Sequence, residues 1–529
     1  IGDAVMAAPA VLALGEARPQ WDWLLLGGPR SLPLFAGLGP PFVPLPQLPP
    51  RHSRPRSFLE AVVRIRRAGP EAALVLPPSF SSAWMISLAG VPIRFGWPGD
   101  GRGGLLTARG AEPTRTRPLR EQYAELGEAF LELLGESAPI SPEMRRLPLL
   151  AEEIGAAASD NARLGLDPAR TIALAPGASY GPTKRWPEDR FLALGKILRS
   201  EGWSLLWFGG GEESRLCLRL AEVTSEGGPS SAPGVSVSQA GTMSLRRSLA
   251  LLAGLRAMIS NDSGAMHLAQ AAGCPVVGIF GSTSPEWTGP SGPRQAVVHH
   301  RLACSPCFAR SCPTAIECLD AVTVEEVRLA LAEVLRRDAS LRRTPAVFLD
   351  RDGTVLDLVP YLRTVEETRL APGAARGLRR LQEAGYALVV VTNQSAIARG
   401  LLDEEGLRRI HERMIDLLRE EGIVLRGLES CPHHPDFGEP CACRKPEPGM
   451  ILRAAHRFDL DLDRSFTIGD SVSDLQAGRA ARTRTILVRG GYGRETERSL
   501  PPDGSPADAV CDDLEAAAER ILAASVDSL

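Results

Sequence analysis

Asp350 and Asp352 stand one residue apart, directly after the apolar run Val347, Phe348, Leu349. That run, preceded by Pro345, predicts a buried parallel strand. The acids then fall just past its carboxyl end, where open α/β sheets place their ligand sites. Two carboxylates held together are costly unless a cation or a proton neutralises them, so a metal is the expected occupant. Gly353 allows a backbone turn that a side chain would hinder, and Thr354 offers a hydroxyl to an anionic group. By itself an Asp-x-Asp pair is equally compatible with a turn or a helix cap.

Three later stretches change that balance. Val389-Val390-Val391 runs into Thr392-Asn393-Gln394-Ser395, Arg444-Lys445-Pro446 supplies two cations, and Phe466-Thr467-Ile468 runs into Gly469-Asp470-Ser471, with Asp474 beyond. In this order the motifs resemble those of the haloacid dehalogenase phosphatases. The resemblance implies that Asp350 is the nucleophile and Asp352 the general acid/base. It implies that Thr392 and Asn393 contact substrate and that Lys445 balances phosphoryl charge. Asp470 joins Asp350 and the backbone carbonyl of Asp352 around Mg²⁺, an ion that prefers oxygen ligands, while Asp474 orients this shell.

Between these motifs lie Cys431-Pro432-His433-His434 and Cys441-Ala442-Cys443. One imidazole and three thiolates make the soft tetrahedral donor set of a structural Zn²⁺ site, with Cys431, His433, Cys441 and Cys443 as ligands and His434 as the spare histidine. Free buried thiols are the bland alternative. Such a loop resembles those of heptose 1,7-bisphosphate 7-phosphatases and histidinol-phosphate phosphatases, and the run from Asn393 to Gly400 resembles the former. Arg444 beside Lys445 suits a substrate with a second phosphate, which a guanidinium grips bidentately. Where that family usually has Gly, position 396 is Ala.

Positioning these groups takes several domains, and 529 residues are too many for one core. Hydrophobic residues make up 44%, charged residues 23%, and the net charge of −3 gives no reason to invoke nucleic acid. No apolar stretch reaches the ~18 residues of a membrane span, and no signal peptide is recognisable. Seven of the ten cysteines fall in short-spaced groups, which suits metal binding in a reducing compartment better than a disulfide framework. A cytoplasmic location is expected.

The chain opens on Ile1-Gly2-Asp3, a glycine and an acid leading into a helical apolar pattern that normally follows a strand, so a truncated N-terminus is expected. Pro9 falls early in that helix. Strand patterns at 21–26, 71–76 and 91–95 alternate with helical ones at 57–67 and 81–89, the rhythm of a doubly wound sheet. The Pro-rich stretch 40–50 reads as a loop. Arg51, Arg54, Arg56, Arg64, Arg66 and Arg67 form a basic neighbourhood, either a solvated helix face or a site for an acidic acceptor near a membrane.

Further on, strands at 171–175 and 204–208 each run into a glycine-rich turn, weak signals alone for a phosphate or ribose site. A strand ending at Asn261-Asp262-Ser263-Gly264, a helix carrying His267 and a strand ending at Phe280-Gly281-Ser282-Thr283 resemble strongly the signature of ADP-heptose:lipopolysaccharide heptosyltransferases, the heptosyltransferase II branch above all. The resemblance covers roughly residues 1–335. It implies a GT-B arrangement of two Rossmann-like domains, with Asp3 as general base, Lys184 at the ADP-heptose diphosphate and Glu212 at the ribose or adenosine. Asp262 meets the heptose hydroxyls, and Ser263 and Gly264 place amides at the diphosphate. Glu213 competes with Glu212, and His267 is as compatible with bracing the turn as with a site. Cys304, Cys307, Cys312 and Cys318 have spacing that could hold a metal or remain reduced thiols.

The expected fold is therefore α/β: residues 1–155 an acceptor-side Rossmann-like domain lacking its first strand, 156–337 the ADP-heptose-binding domain, 338–344 a linker after a closing helix at 323–337, and 345–529 a Rossmann-like phosphatase domain. The resemblances together imply a bifunctional enzyme of lipopolysaccharide inner-core heptose metabolism, acting on ADP-heptose, the core acceptor and heptose 1,7-bisphosphate, with a peripheral contact at the inner membrane. The alternative is a phosphatase for histidinol phosphate or another sugar phosphate fused to a non-catalytic binding module.

Overall fold

A computed structural model describes residues 1–28, 31–38, 42–45, 55–77, 79–225, 234–341, 343–438, 440–501 and 503–526. Arg51 and Arg54 of the basic neighbourhood, and the side chain of Arg56, lie outside the described residues. The chain divides into two compact units, Ile1–Pro148 with Ala157–Leu341, and Leu149–Ala156 with Arg342–Leu529. The short segment Leu149–Ala156 thus groups with the second unit, although it falls around the boundary expected between the first two domains.

Within the first unit a six-stranded sheet runs in the order Gln295–His299, Val276–Phe280, Ala257–Asn261, Thr171–Ala175, Ser204–Trp207, Ser236–Ser238. Every pairing is parallel. Numbered along the chain this is 6-5-4-1-2-3, the doubly wound order. Its central strands are buried at every residue, which is why they read as unbroken apolar runs rather than alternating ones.

The preceding residues form two smaller parallel sheets. Trp23–Leu25 pairs with Phe42–Pro44, and Ala72–Val75, Ile93–Gly96 and Ala108–Arg109 lie side by side. Helices Pro55–Ala68 and Phe80–Leu88 match the expected ones. Three expectations need correction. Phe42–Pro44, within the stretch expected as loop, is a strand, and the Phe42 ring packs so closely on Gly15 that a Cβ there would stand 2.3 Å from it. Pro9 sits in the interior of helix Gly2–Ala17 rather than near its start; Val5 to Ala10 are buried on either side of it, so packing offsets the lost backbone bond. The closing helix spans Val324–Ser340, opened by a Thr323–Glu326 capping box. Asp338 near its end pairs with Arg294 at 3.0 Å, so residues 338–340 belong to the helix rather than to a linker.

The second unit repeats the same topology. Its sheet order is Gly427–Cys431, Ala387–Asn393, Thr344–Leu349, Leu460–Gly469, Arg484–Val488, Ala509–Cys511, all parallel. One face is covered by Leu378, Leu381, Ile410, Met414, Ala517 and Ile521; the other by Met450, Ile451 and Ala454. In both units the strand order reverses between the first and fourth strands. A crevice at the carboxyl ends of those two strands is where such sheets bind ligands.

Candidate active sites

Asp350 follows the first strand of the second unit and Asp470 the fourth, so the topology brings them to one crevice. Asp350, Asp470 and Asp474 offer carboxylate oxygens all within 4.8 Å of one another, and all are buried. Lys445 lies among them, its Nζ 2.6 Å from Asp350 Oδ1 and 2.5 Å from Asp474 Oδ1, and donates to the Val391 carbonyl at 2.8 Å. Burial pushes the Asp350 carboxyl well above the usual carboxylate range, with Lys445 pulling against it. Burial, then the neighbouring Asp474, lifts Asp470 to about 7. For Lys445 burial alone would disfavour charge, but Asp350 and Asp474 outweigh it and its pKa is raised. The crevice is thus a cluster of acids short of positive charge.

Glycines let these groups approach. Gly353 has φ +82°, and a Cβ on it would stand 2.3 Å from Asp470 Oδ2; at Gly491, φ +49°, the distance would be 2.1 Å. Tyr492 N donates to Asp470 Oδ2 at 2.8 Å. The Asp474 carboxylate is shared between Lys445 and Ser471, whose N and Oγ donate to Oδ2 at 3.0 and 2.6 Å. Thr354 is buried with its Oγ1 unpartnered among the described residues.

Thr392, 1% exposed, is the penultimate residue of the second strand, and its Oγ1 accepts from Gln394 Nε2 at 2.8 Å. Asn393 is differently employed: its Oδ1 accepts from Lys445 N at 3.0 Å and its Nδ2 donates to Lys445 O at 3.1 Å. Its amide therefore holds the lysine loop. Arg444 is half-buried, with Nη1 donating to His433 O at 2.9 Å. The Asp352 carboxylate is gripped by Arg351 and Gln394, neither of which sequence reasoning singled out, although Arg351 stands between the two acids and Gln394 within the Thr392–Ser395 run.

Cys431 closes the third strand, and its Sγ lies 3.2 Å from Cys443 Sγ and 3.6 Å from Cys441 Sγ; His433 Nδ1 lies 3.3 Å from Cys443 Sγ. The edge of a tetrahedron with Zn–S bonds of about 2.3 Å is roughly 3.8 Å, so the donor set fits one Zn²⁺. His434 is turned away, its Nε2 3.0 Å from Arg399 Nη2 and its ring beside Phe437. Cys304, Cys307, Cys312 and Cys318 are free thiols and are absent from the groups of converging metal donors found among the described residues.

In the first unit the crevice lies between Thr171–Ala175 and Ala257–Asn261. Asn261 ties its walls together, donating to Pro176 O at 2.7 Å and accepting from Trp186 N at 3.0 Å. Trp186 carries the loop with Lys184, whose Nζ is 2.5 Å from Asp262 Oδ2. Thr283 Oγ1 donates to the same oxygen at 2.6 Å, and the ammonium lies 4.8 Å from the Tyr180 ring centroid. Asn261, Thr283 and Tyr180 escaped sequence reasoning as site residues; Asn261 and Thr283 were hinted at by their places at or just past strand ends, and Tyr180 lies in the loop that carries Lys184. Ser263 is the N-cap and Gly264 the first residue of helix Gly264–Ala271, an N-terminus suited to an anion.

Asp3 is exposed in the first turn of its helix. Gly2 beside it lies against the His267 ring, 3.0 Å from where its Cβ would be. His267 is buried with Nδ1 unpartnered among the described residues, and burial lowers its pKa against the opposing charges of Asp262 and Asp3. Glu213 is committed to the glycine turn, accepting from Gly210 N at 2.8 Å, whereas Glu212 is exposed.

Residues 61–316 match the glycosyltransferase family 9 (heptosyltransferase) model, and residues 442–517 match a HAD-hydrolase-like model. The D-glycero-beta-D-manno-heptose-1,7-bisphosphate 7-phosphatase of Photorhabdus laumondii is 43% identical over 159 residues, 29% of this chain and 85% of the relative. Escherichia coli ADP-heptose LPS heptosyltransferase II is similar in fold, with TM-score 0.50 and 24% identity over 64% of this chain and 96% of that one. A family 9 glycosyltransferase of Veillonella parvula has TM-score 0.54 and 20% identity over 64% of this chain and 94% of that one. Through its C-terminal region the chain belongs to the D-glycero-beta-D-manno-heptose-1,7-bisphosphate 7-phosphatase family, there joined to a glycosyltransferase family 9 domain.

Proposed function

We propose that the chain is a bifunctional enzyme of lipopolysaccharide inner-core heptose metabolism. Its second unit removes the 7-phosphate of D-glycero-D-manno-heptose 1,7-bisphosphate, and its first transfers heptose from ADP-heptose to the lipopolysaccharide core. The observation that carries the phosphatase reading is the meeting of Asp350, Asp470, Asp474 and Lys445 in one crevice.

An Asp350 oxygen bonds to the 7-phosphorus while the bond to the sugar oxygen breaks, and Asp352 gives that oxygen its proton. Water then bonds to phosphorus, returns a proton to Asp352, and the bond to Asp350 breaks. Dividing hydrolysis this way replaces one difficult step by two easier ones. Thr392 and Lys445 hold the phosphoryl oxygens, and Arg444 holds the second phosphate. Asp350, Asp470 and the Asp352 carbonyl are the proposed Mg²⁺ ligands. The all-oxygen donor set and the glycine cradle around Asp470 suit a small hard cation, which when bound offsets the crowded negative charge. Cys431, His433, Cys441 and Cys443 hold a structural Zn²⁺.

In the transferase, Asp3 takes the proton of the acceptor hydroxyl, Asp262 orients the heptose, and Lys184, Ser263 and Gly264 meet the diphosphate of the departing ADP. Glu212 meets the ribose or adenosine. Cationic and amide donors aimed at developing leaving-group charge supply the main stabilisation of such a step. We place the enzyme in the cytoplasm, meeting its acceptor peripherally at the inner membrane. Among the described residues no helix is long and apolar enough to cross a membrane. Leu59, Val63, Phe80, Trp84 and Leu88 are exposed on helices that also expose Arg64 and Arg67, a pairing suited to an anionic lipid surface.

Phosphate release in the presence of Mg²⁺ tests the reading, comparing heptose 1,7-bisphosphate with histidinol phosphate and the heptose monophosphates. Preference for the bisphosphate is expected; preference for histidinol phosphate would refute the assignment.

A further inference from the structure

The Arg351 side chain folds back onto its own neighbour. Its Nε donates to Asp352 Oδ1 at 3.0 Å and its Nη2 to Oδ2 at 2.9 Å, while Nη2 also donates to Gln394 Oε1 at 2.9 Å. Gln394 closes the ring, its Nε2 donating to Asp352 Oδ2 at 3.0 Å and to Thr392 Oγ1 at 2.8 Å. The arrangement is built from the interior outward. Arg351 is 1% exposed and Gln394 4%, whereas the Asp352 side chain is 25% exposed. A guanidinium is costly to bury, and one that served only as a surface partner for an adjacent acid would lie in solvent. Here two buried planar groups, each fixed at several atoms, present one carboxylate to the crevice.

We propose that Arg351 and Gln394 are positioning residues that fix the orientation of the Asp352 carboxyl for proton exchange in the phosphatase reaction. The proposal rests on the phosphatase reading above and adds which oxygen does the work. Among the described residues Oδ2 is tethered by two donors, Arg351 Nη2 and Gln394 Nε2, and Oδ1 by one, Arg351 Nε. Oδ1, the less tethered oxygen, is therefore the one that carries the proton to the leaving group. Geometry of this kind matters because a positioned general acid contributes about 10²–10⁴-fold, and small misplacements forfeit much of that.

The dependence on leaving group separates positioning from bracing. A sugar alkoxide must receive the Asp352 proton as its bond to phosphorus breaks; p-nitrophenolate leaves as the anion and needs none. The experiment is rapid-quench measurement of leaving-group release in the first turnover, with full-length wild-type, Arg351→Met and Gln394→Met proteins, on heptose 1,7-bisphosphate and p-nitrophenyl phosphate. Both variants are expected to slow sugar release about 100-fold and nitrophenol release less than about tenfold. Arg351→Lys, which restores charge without the fork, should recover part of the sugar-phosphate rate. Equal losses on the two substrates, or no loss on the sugar phosphate, would overturn the proposal. Wild-type protein inactive on both substrates would instead defeat the phosphatase reading, before any variant is compared. Gln394→Met removes two donors without removing a buried charge, so the test survives if Arg351→Met fails to fold.

Discussion

Lys445 Nζ stands 2.6 Å from Asp350 Oδ1, and the same ammonium reaches Asp474 at 2.5 Å. This buried cation offsets Asp350 and Asp474, which share the crevice with Asp470. Replacing it by Met leaves buried acids without their partner, a change that typically costs about 3–5 kcal/mol. Lys445→Met is expected to lose at least about 10³-fold in kcat for phosphate release and to unfold at lower denaturant concentration, as chemical denaturation monitored on the phosphatase unit will show.

The same crowding predicts a pH dependence of stability. Asp470 is lifted to about 7 from an ordinary value near 3.8, so the folded state binds more protons than the unfolded state between those pH values. Stability of the metal-free protein must then fall as pH rises from about 4 to about 7, since it declines wherever the native state holds the extra proton. Thermal melts after chelation should show a lower midpoint for the phosphatase unit at pH 8 than at pH 6. Adding Mg²⁺ should raise the midpoint more at pH 8, because the cation takes over the neutralising role of the proton.

Zinc is expected to stabilise the phosphatase unit and support its active loop. The Cys431 carbonyl accepts from Gln394 N at 2.7 Å, and Cys443 is two residues from Lys445, so the cluster and the crevice share backbone. Metal analysis should find about one Zn²⁺ per chain. Cys443→Ser should lower zinc content, melting midpoint and phosphate release together; heptose transfer should persist.

Much of this was legible because apolar runs lead into the site residues: Asp350 follows Leu349 directly, Thr392 follows Val391, and Asp470 follows Ile468 after one glycine. Val347–Leu349, Val389–Val391 and Phe466–Ile468 each lie within an observed strand. What escaped depends on chain segments distant in sequence. Gly491 and Tyr492 matter only because their loop folds over Asp470, and no local pattern announces that. Asn261 reads as one polar residue before an acid, yet it joins two loops through a single amide. The strand at Phe42–Pro44 was hidden by its prolines, and pairing along one edge was enough to form it.

In the transferase, Lys184→Met removes the cation paired with buried Asp262. Heptose transfer from labelled ADP-heptose should fall about 100-fold or more, while phosphate release from the bisphosphate stays at the wild-type rate.

The proposed function places two separate active sites on one chain, with Asp350 the phosphatase nucleophile. The most direct test measures phosphate release and heptose transfer in the same preparations of wild-type and Asp350→Asn protein. Asp350→Asn is expected to abolish phosphate release and leave transfer intact. Residual phosphate release near the wild-type rate, or loss of both activities in a folded variant, would contradict it.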